Sequence, residues 1–145
     1  MRVVLVLFFA CLLFGCRASE NYGMHLDERT FTAAHLQMVV DSVGVEFPSG
    51  TRGLHLFCVG RFPDASFIAK LEIPSDAAKK FIVQIEGVKH LDATVAFNVP
   101  SVSWWRPEAG VVHVERVFER GMSGVQLYVC EEKGQWILYV KQVKP

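Results

Sequence analysis

The sequence predicts an α+β domain, built from a largely antiparallel sheet of about five or six strands with two helices packed on one face. Three observations support this fold class. Residues 67–73 alternate with period two, as a half-buried strand does. Ala78, Phe81, Ile82 and Ile85 form an apolar stripe at helical spacing. The C-terminal third of the chain is rich in strand-forming residues.

The first half of the domain predicts one helix and one hairpin. Apolar or neutral residues recur at helical spacing from Phe31, with Thr30 as the cap and an end near Gly44. Residues 54–59 and 67–73 then predict two strands. The loop between them contains glycine, proline and aspartate, so we expect a hairpin.

The second helix begins at Pro74-Ser75 in this interpretation, with Ser75 as the N-cap. Asp76 lies in the first turn, where a carboxylate interacts favourably with the helix dipole. Gly87 is expected to end the helix in the left-handed conformation.

The remainder of the chain predicts four strands. Residues 88–110 are interpreted as a weaker strand followed by a long loop. Three stronger strands follow, and Gly134 is expected to take a positive φ in the hairpin between the last two. These strands span residues 111–118, 125–130 and 136–143.

The N-terminus has the pattern of a targeting segment. Residues 3–14 carry no charge and follow a single arginine. A run of about twelve apolar residues suits the core of a secretory signal and is too short to span a bilayer, which takes roughly 20 residues.

The stretch Leu13-Phe14-Gly15-Cys16 resembles the lipobox of bacterial lipoproteins. This resemblance implies that the thiol of Cys16 is acylated, that the leader is cut before it, and that the new amino group is acylated as well. Two or more acyl chains make a persistent anchor, whereas one chain holds only marginally. The alternative is an ordinary signal peptide cut near Ala18, which would discard Cys16.

The resulting organisation is a signal peptide over residues 1–15, the lipidated cysteine and a tether over residues 16–29, and one α+β domain over residues 30–145. We expect a lipid-anchored protein of the cell membrane. Residue 17 is arginine and not aspartate, and if the host is Gram-negative, resemblance to the lipoprotein sorting rule of enteric bacteria implies the outer membrane, facing the periplasm. Lysine plus arginine and aspartate plus glutamate balance at 15 each, so there is no electrostatic footprint for nucleic acid.

Four cysteines are present, and Cys11 leaves with the leader. Once Cys16 is lipidated, Cys58 and Cys130 are the remaining pair. An oxidising compartment favours a disulfide between them. In the chain-entropy model such a bridge would stabilise the fold by about 4 kcal/mol. The alternative is two buried free thiols.

Trp104, Trp105 and Arg106 are the most unusual local feature of the domain. Adjacent side chains of an extended segment point to opposite sides, so one tryptophan is expected in the core and the other at the surface. Tryptophan and arginine are enriched in interface hot spots, which makes this segment the candidate partner-binding site. The alternative is a purely structural plug at one end of the sheet.

No catalytic, metal or cofactor site is expected. The five histidines have no short-spaced histidine partner, and the nearest combination is His113 with Glu115 on one face of a strand. Residues 121–125 lack the second glycine of the G-x-S-x-G motif. An enzyme would have to bring His55, His113 and Glu115 together with a serine or cysteine.

The functional hypothesis is therefore a lipid-anchored envelope protein, not an enzyme, whose domain binds a partner. An inhibitor or immunity-type protein acting on a periplasmic hydrolase is one form of this hypothesis. The layout resembles small uncharacterised bacterial lipoproteins, and that resemblance implies no activity. The alternatives are a minor envelope hydrolase and a structural factor in envelope assembly or maintenance.

Overall fold

The computed structural model describes residues 23–96 and 102–145. These residues form a six-stranded sheet and two α-helices, which confirms the α+β class and the antiparallel sheet. The sheet order is β1-β2-β3-β6-β5-β4, and every neighbouring pair is antiparallel. The elements are β1 Met24–Leu26, α1 Ala33–Val43, β2 Arg52–Val59, β3 Ser66–Ile73, α2 Ser75–Glu86, β4 Val111–Arg120, β5 Ser123–Glu132 and β6 Gln135–Val143.

The last strand fills the centre of the sheet. β6 lies between β3 of the β2–β3 hairpin and β5 of the C-terminal meander. Four consecutive residues of β6, from Ile137 to Val140, are at most 1% exposed. A central strand covered on both sides has such a continuous buried run, whereas a half-buried strand alternates. Both predicted hairpins are confirmed, and Gly134 takes φ 80° in the second.

The sixth strand is not where the sequence predicts it. Met24–Leu26, inside the predicted tether of residues 16–29, forms β1 and pairs with β2. The tether prediction is therefore wrong for these residues, because three residues are too few to show a periodic pattern. The predicted weaker strand is absent from residues 88–96 and 102–110, although residues 97–101 of that segment lie outside the described part.

Helix α1 begins two residues later than predicted from Thr30. Thr32 is the N-cap, and its Oγ1 accepts a hydrogen bond from the His35 backbone N–H while the His35 ring nitrogen accepts from the Thr32 N–H. Thr30 instead donates its N–H and hydroxyl to the Asp27 carboxylate in the preceding turn. The predicted end is confirmed, with Gly44 at φ 72°.

Helix α2 also differs from the prediction at both ends. Ser75 is its first residue and not its N-cap, a position that Pro74 occupies without a side-chain hydrogen bond. Gly87 does not take the left-handed conformation, since its φ is −71°. The helix ends through a tight turn in which the Val88 N–H donates to the Ile85 carbonyl.

One side of the sheet carries Leu56, Phe67, Leu127 and Leu138, and we call it the apolar face. These side chains belong to one large cluster of buried apolar residues. The same cluster includes residues from both helices: Val39 and Val43 of α1, and Ala78, Phe81 and Ile85 of α2. Burial of these side chains is the main favourable term in the stability of the domain.

The two edges of the sheet are protected in different ways. β1 has only three residues. β4 has a register shift between Val112 and Val114, and the side chain of His90 accepts a hydrogen bond from the Val117 N–H. Short edge strands and bulges both hinder pairing with other chains. Within residues 23–96 and 102–145, neither helix has the length and apolar character needed to cross a bilayer.

Candidate binding surface

Five side chains align across the sheet on the side opposite the apolar face. His55 of β2, Lys70 of β3, Tyr139 of β6, Tyr128 of β5 and Glu115 of β4 are successive cross-strand partners. We call this set the polar–aromatic row and this side the polar–aromatic face. Cross-strand neighbours are close enough to interact directly, so the row forms a continuous surface.

A half-buried ion pair lies at the centre of this face. Lys70 Nζ is 2.8 Å from Glu132 Oε2, and the two side chains are only 16% and 18% exposed. The Tyr139 hydroxyl donates to the other oxygen of Glu132 at 2.5 Å. Burial of Tyr139, together with its hydrogen bond to Glu132, raises the pKa of this phenol far above its ordinary value. Tyr139 is therefore a permanent donor at neutral pH.

A second polar group lies at the β4 end of the row. The Gln126 amide donates to Glu115 Oε1 at 2.7 Å and to the Tyr128 hydroxyl oxygen at 2.5 Å. Burial and the nearby charge of Glu115 raise the pKa of Tyr128 to about 12. These polar atoms hydrogen-bond to one another within the sheet, so they do not need a ligand to satisfy them.

The segment of residues 102–110, which we call the tryptophan loop, lies on the polar–aromatic face. The ring of Trp104 stacks on His55 with centroids 5.2 Å apart and planes 12° apart. Trp105 makes an edge contact with Tyr139 at 5.2 Å and with Tyr128 at 6.5 Å. Edge-to-face aromatic pairs contribute about 0.5–1.5 kcal/mol each beyond the area that they bury.

The backbone of the loop is also held by the sheet. The Trp104 carbonyl is 3.4 Å from the Tyr139 hydroxyl oxygen, and the Cys130 thiol donates to the Pro107 carbonyl at 3.4 Å. Lys141 Nζ lies 5.7 Å from the centre of the Trp105 ring. Burial lowers the pKa of Lys141. The loop is fixed in place through side chains and backbone together.

The structure corrects the predicted arrangement of the two tryptophans. One tryptophan was expected in the core and the other at the surface, but both are half-buried. The segment is not extended, because the Trp105 N–H donates to the Val102 carbonyl in a turn and Pro107–Ala109 forms one turn of 3-10 helix. The two rings consequently meet edge to face, with centroids 6.3 Å apart and planes at 75°. Arg106 is exposed.

The predicted disulfide is wrong. Cys58 and Cys130 are both free and buried. Their strands, β2 and β5, are separated by β3 and β6, so the lateral distance is three strand spacings, or about 14 Å. Cys58 also aligns through Phe67 and Gln142 with Val125, five residues before Cys130. A disulfide requires Cα atoms within about 7 Å.

The residues of the hypothetical enzyme site do not meet. His55 and Glu115 lie at opposite ends of the polar–aromatic row, four strand spacings or about 19 Å apart. His113 lies near Trp136, at 4.6 Å between rings, and its Nε2 is 3.5 Å from Glu131 Oε2. In the described ranges, no three His, Cys, Asp or Glu side chains come together as metal ligands would.

Sequence reasoning missed the residues beneath the tryptophan loop. Lys70 falls on the solvent-facing positions of the alternating strand predicted over residues 67–73, whereas in the structure it forms a half-buried pair with Glu132 of β5. A usable signal was present in the spacing of Tyr139 and Lys141, which share one side of a strand whose other side carries Trp136, Leu138 and Val140 before the polar Gln142.

A separate cleft of about 730 Å³ opens near the end of α1, between the loop after β2 and the turn between β4 and β5. Met38, Phe62, Arg120 and Met122 line it, and Gln142 lies at its base. Gln142 is 1% exposed, and its Oε1 accepts no hydrogen bond from the described residues. The cleft therefore offers apolar contacts with one unsatisfied acceptor.

Comparison with known proteins gives no relative from which a role can be transferred. No protein-family model, curated protein or solved structure matches the chain. The predicted lipobox at Cys16 and the predicted leader of residues 1–15 lie outside the described residues.

Proposed function

We propose that this chain is a lipid-anchored protein of the cell envelope whose domain binds another protein and catalyses no reaction. Acyl chains on Cys16 hold it at the membrane. The two helices cover the apolar face, and the tryptophan loop on the polar–aromatic face makes the contact with the partner. The membership of Val39 and Phe81 in one cluster with the strand residues of the apolar face supports this division of the two faces.

The observation that carries the proposal is the rigid support beneath a half-exposed aromatic loop. Trp104 stacks on His55, the Trp105 ring packs edge-on against Tyr139, and the Pro107 carbonyl accepts a hydrogen bond from the Cys130 thiol. Ordering a flexible loop on binding costs free energy, so a loop that the fold already holds binds with a smaller entropy loss. Tryptophan in such a position is the side-chain type most enriched in hot spots.

The surface beside the loop supports the same proposal. Val112 at the start of β4 is 43% exposed and aligns with Cys130, so it lies on the polar–aromatic face. Arg106 is exposed and forms no ion pair with the described residues. An exposed apolar side chain and an available guanidinium beside the tryptophan loop suit a protein partner with an apolar recess and a carboxylate at its rim. An exported hydrolase that this domain inhibits is a partner of that description.

Site-specific photocrosslinking in the native host tests the proposal. A photoreactive amino acid at position 106 is compared with one at position 83, since Val83 on α2 is also exposed, at 68%. We expect a defined adduct from position 106 and none from position 83. The crosslinked protein is then purified and its affinity measured for the wild type, Trp104→Ala and Val83→Ala.

Trp104→Ala is expected to weaken this affinity by about tenfold or more, whereas Val83→Ala leaves it unchanged. The melting temperature of each variant is the control for a structural effect. Equal crosslinking from both positions would contradict the proposal. So would a large fall in melting temperature for Trp104→Ala with unchanged affinity, because the tryptophan would then be a structural plug only.

A further inference from the structure

The first described residues enter the sheet at a defined end. Met24 of β1 pairs with Cys58, close to the end of β2. The antiparallel order places at this same end the loop of residues 60–65, the β4–β5 turn at Gly121 and Met122, and the C-terminal residues Lys144 and Pro145. We call it the proximal end. The β5–β6 turn at residues 133–134 lies at the opposite, distal end.

The chain between the lipobox and the sheet is short. Cys16 precedes Gly23, the first described residue, by seven positions. Seven fully extended residues reach at most about 25 Å. The ten residues of β5 extend about 30 Å from the proximal to the distal end. The tether is therefore too short for the domain to stand with the distal turn on the membrane and the proximal end pointing away from it.

Several large apolar side chains at the proximal end are exposed. Met122, at the tip of the β4–β5 turn, is 86% exposed, and Met38 and Met24 are 42% and 37% exposed. Pro63 and Pro145 are exposed nearby. Methionine is flexible and polarisable, so it adapts to irregular apolar surroundings such as the boundary between headgroups and acyl chains.

The charges at this end indicate which type of lipid surface it suits. Among the described residues at this end, the basic side chains are Arg61, Arg120 and Lys144, and the acidic ones are Asp41, Asp64 and Glu119. Lys144 is paired with Asp64 at 2.5 Å. These described charges balance, so they show no excess of basic side chains of the kind that anionic lipids attract. Contact with a membrane here would be apolar, short in range and insensitive to salt.

From these observations we infer that the proximal end faces the lipid bilayer, with Met122 of the β4–β5 turn inserted at the headgroup boundary. The inference rests on the proposed acylation of Cys16 and deepens it by assigning an orientation. It also directs the tryptophan loop away from the membrane, because Pro107 of that loop contacts Cys130, near the distal end of β5. The loop is then presented to partners in the aqueous compartment.

Spin-label depth measurements on the lipidated mature protein test this orientation. The protein is reconstituted into phosphatidylcholine vesicles as the variants Met122→Cys and Gln135→Cys, each carrying a nitroxide. Gln135 is the matched control, because it is exposed and lies beside the distal turn. Cys58 and Cys130 are buried, and burial raises both of their pKa values, so the label is expected to react at the introduced thiol.

The label at position 122 is expected to collide more often with oxygen, which concentrates in the bilayer, than with a water-soluble nickel complex. The label at position 135 is expected to show the reverse preference, and adding anionic lipid or salt should change neither. Vesicle-bound protein with equal, water-like accessibility at both positions would overturn the orientation alone. Protein that is not acylated and does not sediment with the vesicles would overturn the anchoring and the orientation together.

Discussion

Alternate residues of the same strands form the two faces of the sheet, and the two faces differ in what surrounds their buried side chains. On the apolar face, Phe67, Leu127 and Leu138 are fully buried in one large cluster. On the polar–aromatic face, Tyr139 is buried just as completely, yet it is surrounded by Lys70 and Glu132. Complete burial of a side chain therefore does not show that its surroundings are apolar. We expect the first face to determine stability and the second to hold the tryptophan loop.

The largest effect is expected on the apolar face. Phe67→Ala removes a ring that is 0% exposed and lies 5.4 Å from the ring of Phe62. The lost transfer free energy and the cavity left behind should lower the free energy of unfolding by about 3–5 kcal/mol. Urea denaturation measures it, with Val83→Ala on the exposed side of α2 as the control. A loss below 1 kcal/mol would mean that the described packing of β3 is wrong.

A smaller loss is expected on the polar–aromatic face. Lys70→Met leaves the Glu132 carboxylate half-buried with the Tyr139 hydroxyl as its remaining partner, which should cost about 2 kcal/mol. Replacing both charges, in Lys70→Met with Glu132→Met, should cost less than the sum of the single changes. A double-mutant cycle from urea denaturation measures this coupling. Additive single effects would show that the two charges do not interact.

His55 is expected to make stability depend on pH. Burial beneath Trp104, together with the charge of Lys70, lowers the pKa of His55 from its ordinary value of 6.5. Below about pH 6.5, His55 is therefore protonated in the unfolded chain more readily than in the folded protein. The free energy of unfolding falls as the pH decreases. His55→Phe keeps a ring beneath Trp104 and should reduce this loss.

The comparison uses melting temperatures at pH 7.5 and pH 5.5 for the wild type and His55→Phe. The difference between the two proteins isolates His55 from the other titrating groups. A wild type that loses no more stability than the variant at the lower pH would contradict the burial of His55 beneath the loop.

The smallest expected effect on stability is that of adding a thiol reductant. Cys58 and Cys130 are on different faces and too far apart to pair, so a thiol reductant should leave the melting temperature of the domain unchanged. A disulfide would instead contribute about 4 kcal/mol, which its reduction would remove. A clear fall in melting temperature with reductant, absent from Cys58→Ala, would contradict the described sheet order.

The elements with strong periodicity could be predicted from sequence, and those determined by distant contacts could not. The alternation in β3 and the apolar stripe of α2 are local signals, and both elements form where they predict. β1 forms because its backbone can hydrogen-bond to the edge of β2. Three residues are too few to show a strand pattern in the sequence. The cysteine pairing failed for a related reason, because the position of β6 between β3 and β5 is a property of the whole chain.

The candidate site shows the same limit. Trp104 and Trp105 could be singled out as candidates from their residue types alone, and both are half-buried on the polar–aromatic face. Their arrangement depends on the turn that the Trp105 N–H closes and on Tyr139, 34 residues later in the chain. No local pattern connects these positions, so the support beneath the loop became visible only in the folded protein.

Acylation of Cys16 is the central claim, because it places the domain at a membrane and makes the orientation of the proximal end meaningful. Metabolic labelling with palmitate, followed by intact-mass analysis of the mature protein, tests it most directly in wild type, Cys16→Ser and Cys11→Ser. We predict label in the wild type and in Cys11→Ser, none in Cys16→Ser, and a mature chain that begins at Cys16. Label that persists in Cys16→Ser, or a mature terminus beyond Cys16, would contradict the account.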